Sequence, residues 1–188
     1  MAVSGTALLV IDVQESFRQR PYWTDAGAEQ FFNRLQALHD GARKNGIPIV
    51  QIFHVEEDGV FSLASGYVKT LDEISIVPDA IFQKHRHSAL VGSGLGVWLV
   101  EHGIRRLIIS GIRTEQCCET TTRNASDIGY KVDYVTEATL TFAMTDRHGR
   151  VWTPQEIRER TELVLEDRFA RVVTVEEALQ GARRQLAA

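Results

Sequence analysis

The stretch Leu107 to Tyr130, LIISGIRTEQCCETTTRNASDIGY, decides how the rest of the chain is read. It opens on Leu107-Ile108-Ile109, the composition of a buried strand, and breaks at Ser110-Gly111. Thr114 stands where a helix N-cap is expected, and Gly129 is placed to close the helix. Cys117 then falls in the first turn of a helix launched from the C-terminal end of a strand. Unpaired N–H groups and the positive dipole end at such a place favour a thiolate and any oxyanion it generates. Cys117 is therefore a candidate nucleophile; the alternative is a small core residue, the common fate of a free cysteine. Cys118, in the same turn, reads as core, and a disulfide between adjacent cysteines would be strained.

Working outward, three more strand endings carry polar side chains. Ala7 to Ile11 is a continuous apolar run, the pattern of a parallel strand covered on both faces, and it ends in Asp12. A carboxylate there lies where open α/β sheets place ligands, although a turn aspartate would read the same way. Ile47 to Phe53 predicts a second strand that delivers His54 to the same edge of the sheet. Asp79 to Gln83 predicts a short strand followed by Lys84-His85-Arg86-His87-Ser88-Ala89-Leu90, in which Lys84 alone would pass for a surface lysine.

The intervening segments alternate with these strands. Phe31, Leu35 and Leu38 recur at helical spacing and the pattern closes near Gly46. The segment from Val55 to Ile76 reads as a long loop, its Glu56-Glu57-Asp58 group a solvated turn. Gly92, Gly94 and Gly96 do not close a strand–helix unit of the dinucleotide-binding kind, and instead lead into a helix over Leu95 to His102. Lys131 to Val135 and Arg171 to Val173 predict two later strands, separated by a charged helix that starts near Pro154. Thr174 with Glu177 forms a capping box for a terminal helix. Strands alternating with helices predict an α/β domain with a mainly parallel sheet, occupying residues 1–188 as one domain.

Composition narrows the function classes. A chain of 188 residues with 44% hydrophobic and 24% charged residues is that of an ordinary globular protein. A formal charge of −4 with scattered basic residues gives no footprint for nucleic acid. No apolar stretch has the length of a membrane span, and no targeting signal is visible at the N-terminus. Two adjacent cysteines form no disulfide framework and suit a reducing compartment, so a cytoplasmic location is expected.

Three separated motifs, LLVIDVQESF (residues 8–17), KHRHSAL (84–90) and GIRTEQCCETTTRNASDIGY (111–130), together resemble the isochorismatase-like cysteine hydrolase superfamily. That superfamily includes N-carbamoylsarcosine amidohydrolase, nicotinamidase, ureidoacrylate hydrolase and isochorismatase. The resemblance implies a three-layer α/β/α sandwich around a parallel sheet of roughly six strands. It implies a catalytic triad of Asp12, Lys84 and Cys117, with no cofactor. It also implies a non-proline cis peptide at Ile112–Arg113, an oxyanion hole made of the backbone N–H groups of Arg113 and Cys117, and assembly as a homodimer or homotetramer. In such a triad Asp12 takes the thiol proton and later passes it to the departing amine. Lys84 and the helix N-terminus are expected to lower the thiol pKa towards neutrality.

The resemblance implies a small-molecule substrate and a pocket lined by Phe17, Trp23, His54 and Arg113. Arg113 either pairs with a substrate carboxylate or points to solvent or across a subunit interface. Nicotinamidases of the family carry a D-x-H type metal site after the second strand. Here that place reads Phe53-His54-Val55-Glu56-Glu57, and no paired ligand spacing joins His54, His85 and His87, so no metal is expected. The presence of Cys117 favours C–N cleavage of an amide or N-carbamoyl compound. A vinyl-ether hydrolase is the alternative enzyme, and a non-catalytic or thiol-sensing relative the alternative class.

Overall fold

Every residue of Thr6–Ile11 (β1) is buried, as an unbroken apolar run requires when both faces of a sheet are covered. In the computed structural model, which describes residues 5–186 and side chains as far as residue 182, β1 is central. The chain continues through Ala28–Lys44 (α1), Ile49–His54 (β2), Ala80–Lys84 (β3), Leu95–Glu101 (α2) and Arg106–Ile112 (β4). Then follow Glu119–Asp127 (α3), Lys131–Leu140 (β5), Met144–Thr145 (β6), Val151–Trp152 (β7), Pro154–Leu165 (α4), Arg171–Val172 (β8) and Val175–Leu186 (α5). The six-stranded sheet has the order β3-β2-β1-β4-β5-β8, and its recorded pairings are all parallel. Among the described residues no helix is long and apolar enough to cross a membrane.

Alternation along each strand divides the core between two faces. Leu8 and Val10 face Phe31, Leu35 and Leu38 of α1 with Ala178 of α5. Ala7, Leu9 and Ile11 face Leu95 and Leu99 of α2, Ala125 of α3 and Leu165 of α4. The result is the expected three-layer α/β/α sandwich. The capping box at α5 also forms: Glu177 N–H donates to Thr174 Oγ1 at 3.2 Å and Thr174 N–H to Glu177 Oε2 at 2.9 Å.

Three local expectations change. β4 does not break at Ser110-Gly111 but runs on to Ile112. Ser110 Oγ donates to Leu9 O at 2.9 Å, and Gly111 lies so close to β1 that a Cβ would stand 2.0 Å from Ile11 O. With its φ of +126°, that position admits glycine. β5 extends five residues beyond Val135 to Leu140, and the β6–β7 hairpin, built of two-residue strands, gave no sequence signal.

Candidate active site

The sheet register brings the polar strand endings together. His54 pairs with Lys84 across β2 and β3, and Asp12, just past β1, donates its N–H to Ile52 O at 2.8 Å. Asp12 adopts a φ of +53°, a conformation that turns the chain sharply off the strand. Cys117 arrives from the turn after β4. Asp12 and Lys84 are fully buried and Cys117 nearly so.

Lys84 is the hub. Its Nζ lies 2.8 Å from Asp12 Oδ2, 3.1 Å from His54 Nδ1 and 3.3 Å from Cys117 Sγ. An ammonium has three hydrogens, and three acceptor groups lie within reach of this one. Burial alone would lower the Lys84 pKa, but the charge of Asp12 and the neighbouring Cys117 outweigh it, and the pKa is raised. The cation is retained. His54 is pushed down to about 4, first by burial and then by the Lys84 charge, so its ring is neutral at pH 7. With Nδ1 accepting from Lys84, the ring proton sits on Nε2, which lies 3.4 Å from Glu56 Oε1.

Gln14 holds this hub from below and was not singled out by the sequence. Its Nε2 donates to His54 O at 3.1 Å and its Oε1 accepts from His54 N at 2.8 Å. The buried amide thus ties the loop after β1 to the end of β2, much as another strand residue would.

The Ile112–Arg113 peptide is cis. Thr114–Cys118 follow as a single π-helical turn in which Gln116 N and Cys118 N both donate to Arg113 O at 3.2 Å. Thr114 is not the N-cap the sequence suggested. Its Oγ1 faces Thr139 Oγ1 at 2.7 Å, because β5 reaches further than expected, and Arg113 occupies the cap position without a side-chain bond. The thiol also departs from expectation. Burial, and then the Asp12 charge, raise the Cys117 pKa well above its ordinary value, and Lys84 pulling the other way does not offset them. The thiol is protonated at rest, beside a carboxylate placed to accept its proton. Cys118 is fully buried core, as expected.

The remaining predicted contacts are distributed around this centre. His54 is part of it. Phe17 packs edge-on against Phe61, which meets the His54 ring in turn. Trp23 packs on Phe142 and under Arg18. The Arg113 side chain does not point to solvent: it is buried, 3.0 Å from Glu115 Oε1, and its guanidinium lies 5.0 Å from the Tyr22 ring centre. Tyr22, Glu115 and Phe142 escaped the sequence reading because only the fold gathers them around Arg113.

His54, His85 and His87 are directed at different partners. His54 Nδ1 faces an ammonium, His85 Nδ1 lies 2.8 Å from Val55 O, and His87 Nδ1 lies 3.9 Å from Cys117 Sγ. Among the described residues no three His, Cys, Asp or Glu side chains are grouped to hold an ion.

Comparison with known proteins supports the fold and identifies the family. The family model for the Isochorismatase domain matches residues 6–177. The isochorismatase family protein YrdC of Bacillus subtilis is 25% identical over 183 residues, 92% of this chain and 94% of that protein. Nicotinamidase 3 of Arabidopsis thaliana is 27% identical over 154 residues, 72% of this chain and 73% of that protein. A crystal structure of an isochorismatase-family protein from Chromobacterium violaceum superposes with a TM-score of 0.85 at 25% identity, covering 96% of this chain and 95% of that one. The chain belongs to the isochorismatase family, and it is a hydrolase.

Proposed function

We infer that this hydrolase cleaves the C–N bond of a small amide or N-carbamoyl compound through a thioester on Cys117. The observation that carries the reading is the position of Lys84 Nζ, 2.8 Å from Asp12 Oδ2 and 3.3 Å from Cys117 Sγ, with Asp12 and Lys84 fully buried. A carboxylate and a thiol that share one ammonium are placed for proton transfer between them. As Sγ attacks the carbonyl carbon, Asp12 takes the thiol proton, and Lys84 offsets the negative charge left on sulfur. The carbonyl oxygen, now an oxyanion, is met by the backbone N–H groups of Arg113 and Cys117 at the head of the turn. Asp12 returns its proton to the nitrogen as the C–N bond breaks, and water then cleaves the thioester.

The amide class is supported by likeness to a nicotinamidase and by the presence of the cysteine itself. Nicotinamide is not the substrate proposed, because the residues after β2 do not supply the metal site of that enzyme type. The test is ammonia release from a panel of small amides and N-carbamoyl compounds. Release by the native protein is expected for at least one class and is expected to vanish in Cys117→Ala, Asp12→Ala and Lys84→Ala. Undiminished release by Cys117→Ala would overturn the reading.

A further inference from the structure

The turn that carries Cys117 is wider than an α-helical turn, and its register decides which N–H groups are committed. In an α-helix the carbonyl of one residue accepts from the N–H four residues on, so Arg113 O would take the N–H of Cys117. Here Arg113 O accepts instead from Gln116 N and Cys118 N, the residues on either side of Cys117, both at 3.2 Å. The π register thereby spares the Cys117 N–H that bond. A donor committed to a carbonyl of the turn is a poor donor to an oxyanion. A lone π turn is uncommon, and its surroundings must favour it over the α form.

Three side chains in and just after β5 hold the turn, and one of them holds its backbone. Thr139 Oγ1 lies 2.7 Å from Thr114 Oγ1, and Thr141 Oγ1 donates to Glu115 Oε2 at 2.5 Å; both contacts are with side chains. Tyr134 OH donates to the carbonyl oxygen of Thr114 at 2.7 Å. In an α-helical turn that oxygen would accept from Cys118 N. In the π turn it takes Glu119 N–H and the Tyr134 hydroxyl. Tyr134 is fully buried and fixed within the sheet, paired with Ile109 of β4 and Val172 of β8. Burial, and then the nearby Cys118, raise its pKa well above the ordinary value, so the hydroxyl keeps its proton and donates.

We propose that Tyr134 is a positioning residue for acyl transfer, its hydroxyl holding the nucleophile turn in the π register that keeps the Cys117 N–H from Arg113 O. The role rests on the cysteine hydrolase reading. Without the hydroxyl, the fully buried Thr114 carbonyl is short of a donor. A return to the α register would supply one, with Cys118 N–H donating to Thr114 O and Cys117 N–H to Arg113 O. The same return would take the Cys117 N–H away from the oxyanion.

Tyr134→Phe keeps the ring, removes only the hydroxyl, and tests this through two reactions of one sulfur. Acylation by p-nitrophenyl acetate passes through an oxyanion, whereas alkylation by iodoacetamide does not. The first equivalent of p-nitrophenolate should appear at least about 10-fold more slowly than from the native protein, short of the roughly 100- to 1,000-fold lost when an oxyanion donor is deleted outright. Alkylation should be unchanged, because the ionisation of Cys117 is governed by burial, Asp12 and Lys84. Both rates are compared well below the thermal midpoint of the variant, so that folded protein is measured. Acylation at the native rate would overturn the proposal and leave the thioester reading standing. So would acylation and alkylation slowed by the same factor, or slower acylation with faster alkylation, the mark of a loosened turn. Failure to acylate Cys117 in the native protein would remove the thioester reading, and the role of Tyr134 with it.

Discussion

The side-chain amide of Gln14 bonds both backbone groups of His54, accepting its N–H at 2.8 Å and donating to its carbonyl at 3.1 Å. Through His54 Nδ1 this clamp reaches Lys84 Nζ, 3.1 Å away. Gln14→Ala should therefore destabilise the protein by about 1–3 kcal/mol, since it leaves polar groups without partners. Urea unfolding should show a lower midpoint with unchanged slope, and turnover should fall as well. An unchanged midpoint would show that the clamp is dispensable.

A second close relationship supports the nucleophile turn. Gly111→Ala would place a Cβ 2.0 Å from Ile11 O on a residue with a φ of +126°. The obstacle is backbone, which cannot swing aside as a side chain can. A loss of more than about 4 kcal/mol is expected, enough to leave little folded protein. Thermal unfolding within a degree or two of the native value would contradict the packing described.

The ring of His54 gives stability a defined pH dependence. Its folded pKa, about 4, lies below the ordinary value of 6.5, with burial the first cause and the Lys84 charge the second. Above pH 6.5 both folded and unfolded states hold it neutral and it contributes no slope. Between pH 6.5 and 4 the unfolded state binds the proton more readily, so stability falls as pH falls. Denaturant midpoints measured across that window should decline less steeply in His54→Gln than in the native protein. Identical declines would assign the slope elsewhere.

Asp12 suppresses the resting thiolate and is the base of the proposed reaction. Because its charge is the second cause, after burial, of the raised Cys117 pKa, Asp12→Asn should speed alkylation of Cys117 by iodoacetamide at pH 8. The same substitution should cost hydrolysis about 100-fold or more, since the base is gone. Alkylation slower than in the native protein would mean that Asp12 promotes the resting thiolate, contrary to the electrostatics described here.

The candidate site was legible chiefly through the three motifs that resemble the family, because the strand ends alone left Asp12 open to a turn reading, Lys84 to a surface reading and Cys117 to a core reading. The apolar run before Asp12 and the short strand before Lys84 did mark where β1 and β3 end. What was not legible depends on contacts between distant segments. Ser110-Gly111 has the composition of a break, but β1 lies alongside and holds it in the sheet through Leu9 and Ile11. Thr114 has the composition of a cap, but the longer β5 presents Thr139 to it. The thiol's proton was misjudged because a helix N-terminus and a lysine are visible in sequence, whereas near-complete burial next to a carboxylate is not. His87 lay within a quoted motif, but its contact with sulfur depends on Asn124 and Thr121 tying down the adjoining residues.

Turnover through a thioester places the acyl group on Cys117. Acid quenching of the native protein with whichever amide of the panel it hydrolyses, followed by mass mapping, detects it. The acyl mass is expected on the peptide containing Cys117, with neither adduct nor ammonia from Cys117→Ala; turnover persisting in Cys117→Ala, or an adduct on another residue, would overturn the thioester mechanism.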